Sequence, residues 1–94
     1  MKFEWHSKKD QENRTLHGIG FDEAKRAFYD PGRIIFSDSK HTTVAEKRYF
    51  CIGKITEGIC TVRFTVRGDK IRIFGAGLWR KGRKRYEEEE NSIH

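Results

Sequence analysis

Four cationic residues recur at alternate positions around one sharp turn: Arg63 and Arg67 before Gly68-Asp69, and Lys70 and Arg72 after it. Guanidinium groups grip phosphate through paired hydrogen bonds and stabilise the charge that develops on its oxygens during displacement. RNA carries its own nucleophile in the 2′-hydroxyl, and a lysine or tyrosine of shifted pKa can move the protons. Such a set suits a metal-free ribonuclease that leaves a cyclic phosphate, and it equally suits a plain RNA- or DNA-binding module. Other chemistries lack their residues. His6, His17, His41 and His94 show no pairing at metal-ligand spacing, and neither Cys51 nor Cys60 has a Cys or His at such spacing. There is no Gly-rich phosphate loop and no Ser-His-Asp or Cys-His pattern. No carboxylate pair is expected among the arginines, which argues against Glu/Asp acid–base catalysis and a Mg²⁺-dependent nuclease. No cofactor is expected.

The elements that must hold these cations are strands. Ile59–Arg67 and Lys70–Ala76 alternate apolar and polar residues, the period of a half-buried strand. Gly68-Asp69 between them is a two-residue hairpin turn, which sets Arg67 opposite Lys70, Thr65 opposite Arg72 and Phe64 opposite Ile73. Before them, Tyr49–Ile55 reads as a third strand. Closing Thr56-Glu57-Gly58 as a three-residue loop sets Ile52 opposite Val62 and Cys51 opposite Arg63. One face then collects Phe50, Ile52, Cys60, Val62, Phe64, Val66, Ile71 and Ile73. The other collects Tyr49, Cys51, Thr61, Arg63, Thr65, Arg67, Lys70 and Arg72, with no acid among them. On this register the two cysteines lie on opposite faces, unable to meet disulfide geometry, and read as free thiols of a reducing, cytosolic protein.

Met1–Trp5 alternates as a short first strand, and Ser7 is the expected N-cap of a helix over Lys8–His17 that stops at Gly18. That helix is polar almost all round, so it belongs on the surface or at an interface. Phe21–Phe28 reads as a second helix ended by Asp30-Pro31-Gly32, and Arg33–Asp38 as a strand. Ser39–Ala45 is an exposed, mobile connection. Leu78–Glu90 is a terminal helix weakened by Gly82, whose Glu87–Glu90 end opposes the helix dipole and frays, as do Asn91–His94. The fold class is α+β: one domain over residues 1–94, with a mainly antiparallel four-stranded sheet and a short N-terminal strand beside it. Two N-terminal helices and one C-terminal helix lie on one face. A net charge of +6 and a pI near 9.6 favour an anionic partner, most often nucleic acid. No apolar run is long enough to span a membrane.

Several pieces, in order, resemble the BrnT family of toxins: Lys2-Phe3-Glu4-Trp5, Lys9, Asn13, His17-Gly18-Ile19, Phe21-x-x-Ala24 and Phe28-x-Asp30-Pro31. They continue with Arg48-x-x-x-Ile52-Gly53, Phe64-Thr65-x-Arg67-Gly68, Arg72-Ile73 and Tyr86-Glu87. The resemblance implies a RelE-like fold and a bacterial toxin of a type II toxin–antitoxin system that cleaves RNA without metal. It also implies neutralisation by a BrnA-like antitoxin, with operator DNA contacted only through that partner. Arg67 and Arg72, with Lys70, are the catalytic candidates. Arg63, Tyr49 and the helix cluster Arg80, Lys81, Arg83, Lys84 and Arg85 are the RNA-binding candidates. The chain departs from the family where Gly75-Ala76-Gly77 replaces a common Ser-Ala-Arg, and where Gly20 replaces a usual Ser. Arg80 or Lys81 can supply the missing arginine's charge from a shifted position. An inactive homologue and a non-catalytic basic binding module are the alternatives.

Overall fold

The Gly68-Asp69 hairpin forms as its residues dictate. In the computed structural model, which describes residues 1–92, Gly68 takes a positive φ of 61° at the tip. It joins β4 (Gly58–Arg67) to β5 (Lys70–Gly77). Their register sets Arg67 opposite Lys70, Thr65 opposite Arg72 and Phe64 opposite Ile73, as the alternation requires. Beyond Phe64 the pairing slips by one residue, so Phe74 bulges and Gly75, Ala76 and Gly77 face Arg63, Val62 and Thr61.

The preceding hairpin corrects the expected register. The turn between β3 (Tyr49–Ile55) and β4 is tighter than three residues, because Gly58 pairs directly with Ile55. Cys51 therefore faces Val62, Ile52 faces Thr61 and Phe50 faces Arg63. A one-residue slip exchanges every side chain between faces. Tyr49 and Cys51 thus belong to the Val62–Phe64 face, and Phe50 and Ile52 to the arginine face. Cys51 and Cys60 are free, but they share one buried face. The expected outcome holds and its reason does not.

The sheet has five strands, in the order β1-β5-β4-β3-β2. β2 (Ile34–Ser37) pairs antiparallel with β3, while β1 (Lys2–Glu4) pairs parallel with β5, so the sheet is mixed. The helices divide between its two faces, where one face was expected. Of those near the N-terminus, α2 (Phe21–Ala24) and a 3₁₀ turn (Lys25–Tyr29) cover the Cys51–Val62–Ile73 face, where Phe21, Phe28 and Phe64 fill the core, while α1 (Ser7–His17) lies along β5 and gives no residue to that core. Here α1 is capped by His6, whose Nδ1 accepts the Lys8 N–H at 3.2 Å, and not by Ser7. Its polarity is explained by its anchor. Buried Asn13 donates to the carbonyls of Ile19 and Ala76 and accepts the Ala76 N–H, so a side-chain amide ties the helix to β5.

On the opposite face lies α3 (Arg80–Ser92), which crosses Ile52 and Thr61. Gly82 is the reason it can lie so close, since a Cβ there would overlap the Thr61 hydroxyl. Tyr86 fastens the helix one turn further on. Its phenol donates to Asp30 Oδ2 at 2.6 Å, and Asp30 also accepts the N–H groups of Lys54 and Gly32. Burial works against the Asp30 charge, but these donors outweigh it and hold the carboxyl below its ordinary range, while burial and the carboxylate push the Tyr86 phenol up. The helix stays regular through the glutamate run to Ser92, where fraying was expected; Ile93 and His94 lie outside the described residues. No described helix is long and apolar enough to cross a membrane.

Burial pushes both thiols up to about 12. Since unfolded cysteine titrates near pH 8.5, the stability linked to each thiol is whole below that pH and drains away as pH rises toward the folded value. Chemical denaturation under reducing conditions is expected to show a loss of about 2 kcal/mol per thiol between pH 8.5 and 10. A midpoint that stays flat over that range would show that the thiols are not sealed from water.

Candidate RNA-binding and cleavage face

The corrected register lays the arginine face out in rows, because residues paired across strands point the same way. The first row, Ile34, Ile52, Thr61 and Gly77, passes beneath α3. The second is Phe36, Phe50, Arg63 and Gly75. The third joins Thr65, Arg72 and Glu4, and the outermost joins Arg67, Lys70 and Lys2. The first row lies under α3, Arg85 reaches over Phe36 in the second, and Thr65 in the third is buried with its hydroxyl on the Lys47 carbonyl, so Arg63 and Arg72 are half-buried beside the helix while Arg67 and Lys70 are exposed.

These cations are not equivalent. Arg72 is half-buried, its side chain 23% exposed, and Nη1 donates to Glu4 Oε2 at 2.6 Å. Arg67 is 53% exposed and donates to Glu46 Oε2 at 3.0 Å. Glu46 also accepts from Arg48 Nε at 3.0 Å, and the Arg67 and Arg48 guanidiniums hold its carboxyl below the usual range. Carboxylates therefore do reach the basic face, against expectation. Glu4 comes from β1 and Glu46 from the connection between β2 and β3, neither from the hairpin. Arg67 and Arg72 hold the diagonal positions anticipated for them, yet each guanidinium is drawn to its own carboxylate and they do not close on a shared space. Arg63, the central cation, has no ion-pair partner among the described residues. Its aliphatic stem lies over Gly75, with Cδ 3.8 Å from where a Cβ would stand.

Other candidates scatter. Lys70 is exposed at the hairpin tip. Tyr49 is on the wrong face for RNA on these arginines; its ring stacks on Phe64, centroids 5.4 Å apart, beside the helices. Arg80 is exposed at the start of α3, and Arg83 points to Glu87 at 3.7 Å. Lys84 lies on the outer side of the helix with Glu88. Lys81 and Arg85 are one turn apart and turn back toward the sheet, where they line a groove with Phe36, Phe50 and Trp79.

Several contributors are not evident from the sequence. Arg48 places its guanidinium 4.0 Å from the centre of the Phe74 ring, and Arg85 lies 3.7 Å over Phe36. Phe36 and Phe50 stack on one another at 5.2 Å. The three-residue loop assigns Phe50 to the core, and the tighter turn moves it to the arginine face; the alternation of Arg48 and Phe50 is the signal that points there. The connection between β2 and β3 is also more ordered than its composition suggests. Thr42 Oγ1 accepts the Arg48 N–H and donates to the Asp38 carbonyl, and Asp38 Oδ2 meets His41 Nδ1 at 2.8 Å. At Gly77, where the resemblance implies an arginine, the Trp79 indole fills the space, and a Cβ there would overlap that ring. Among the described residues no three His, Cys, Asp or Glu side chains converge as a metal site.

No match to this chain is found among curated proteins. Residues 5–82 match the family model described as ribonuclease toxin, BrnT, of type II toxin-antitoxin system, and with that match over most of its length the chain belongs to this family.

Proposed function

We propose that the arginine rows form the cleavage centre of this ribonuclease toxin and that cleavage needs no metal. The observation that carries the reading is Arg63: a central guanidinium without a carboxylate partner among the described residues, opposite Phe50 on one strand and Gly75 on the other, with Arg72 in the next row. The scissile phosphate sits over Arg63 and Arg72, which meet the charge on its non-bridging oxygens. The 2′-oxygen forms a bond to phosphorus as the bond to the 5′-oxygen breaks, giving a 2′,3′-cyclic phosphate and a 5′-hydroxyl. Water accepts the 2′-hydroxyl proton and water gives a proton to the departing 5′-oxygen, since Glu46, held below its usual range by Arg67 and Arg48, is a weak base. Lys70, Arg67 and the outward cations of α3 guide the strand electrostatically.

The family implies an antitoxin, and we assign it this same basic face. A BrnA-like protein with an acidic surface covers the arginine rows, associates quickly and is weakened by salt, with operator DNA contacted only through it, in the cytoplasm. The test is purified protein with single-stranded RNA in excess EDTA. Cleavage with cyclic-phosphate ends is expected. Activity abolished by EDTA and restored by Mg²⁺ would overturn metal independence. Binding without cleavage at any metal concentration would favour a non-catalytic homologue, the reading to which Gly77 in place of the arginine implied by the resemblance lends support.

A further inference from the structure

Beside the arginine rows, α3 and the sheet enclose a groove of about 370 Å³, at the small end of ligand-sized pockets. Its walls are unlike the rest of the face. Phe36 and Phe50, half-buried and stacked, offer flat apolar surface, Trp79 stands opposite on the helix side, and Lys81 and Arg85 form a cationic rim. At the inner end the approach of Gly82 buries the Thr61 hydroxyl, which has no hydrogen-bond partner, out of an occupant's reach. An occupant must be flat and apolar on its faces and must carry its negative charge outward. The groove is also continuous with the cleavage centre, because Phe50 lies directly opposite Arg63.

From this we infer that the groove is a subsite for one unpaired nucleobase of single-stranded RNA, next to the phosphate held by Arg63. Arg85 reports the stacking geometry in the free protein: its planar guanidinium already occupies the face of Phe36 at 3.7 Å. A base takes that place, and the displaced guanidinium turns to the base's own phosphate alongside Lys81. Aromatic and guanidinium planes are the usual partners of splayed RNA bases. A duplex, whose bases are stacked on each other, has no base to offer and is excluded.

This inference rests on the ribonuclease reading, and the experiment separates the two. Short single-stranded RNA made uncleavable by 2′-O-methylation is titrated by fluorescence anisotropy against the unaltered protein, then rescanned with one abasic position at a time. Removing one particular base is expected to weaken binding roughly 5- to 100-fold, the worth of one base-stacking contact, with little change at other positions. In Phe36→Leu, and independently in Phe50→Leu, that abasic penalty is expected to collapse. A flat abasic scan with protein that still cleaves ordinary RNA overturns the subsite alone. A penalty that persists at full size in both folded variants places the base elsewhere and also overturns it. Protein that neither binds nor cleaves RNA overturns the ribonuclease reading and the subsite with it. The abasic scan uses unaltered protein, so its outcome does not depend on a variant folding.

Discussion

Arg63→Ala is expected to lose roughly a hundred- to a thousandfold in RNA cleavage, the loss typical of removing one preorganised donor to a transition-state oxyanion. The expectation follows from what its neighbours are doing. Arg72 and Arg67 must each be shared with a carboxylate, Glu4 and Glu46, whereas Arg63 has its full charge to give among the described residues. Arg72→Ala should therefore cost less than Arg63→Ala, and Arg67→Ala, in the outermost row, less again. Arg63→Lys should fall between, since it keeps the charge and loses the planar fork. Lys84→Ala, on the far side of α3, should weaken RNA binding modestly and lower its salt slope by about one. Initial cleavage rates settle the order, with circular dichroism to confirm folding. A folded Arg63→Ala protein that cleaves within threefold of the parent would remove the basic face from consideration as the active centre.

The second large effect is on stability. A single methyl added at Gly53 would overlap the carbonyl oxygen of Ala27 and crowd its carbonyl carbon and Cα, all of them backbone atoms of the 3₁₀ turn. Backbone cannot swing aside as a side-chain tip can. Gly53→Ala is expected to cost about 3 kcal/mol, the upper end of overpacking penalties, and to lower Tm by about 12 °C or more. Gly75→Ala is the contrast. Its Cβ would make ordinary contacts, 3.8 Å to Arg63 and 3.9 Å to Asn13, so the protein should stay within about 1 kcal/mol of the parent. Thermal unfolding of the two variants side by side decides it. Equal midpoints would mean that the 3₁₀ turn does not rest on β3 as described.

Legibility in the sequence follows the range of the interactions. The Gly68-Asp69 hairpin is legible because turn and alternation are adjacent and agree. The β3–β4 hairpin is not, because Thr56-Glu57-Gly58 reads equally well as a loop one residue longer, and that residue decides which face Phe50 joins. The arginines' partners are out of reach for a different reason. Glu4 lies 68 residues from Arg72 and Glu46 lies 21 from Arg67, distances over which no local pattern signals a contact. Gly82 reads as a defect in a helix and is instead the point where that helix touches the sheet. Periodicity and caps supply the overall α+β class with its helices, but neither they nor the family pattern tells which cation stands unpaired.

The parallel pairing of β1 with β5 joins the first strand of the chain to the last. During synthesis, residues 2–4 emerge early and wait for nearly the whole remaining chain before Glu4 can meet Arg72 or Asn13 can meet Ala76. Such distant closures carry a large loop entropy and slow the final folding step. A nascent fragment lacking β5 has neither Lys70 nor Arg72, so the rows proposed for cleavage are complete only once β5 has been made and paired.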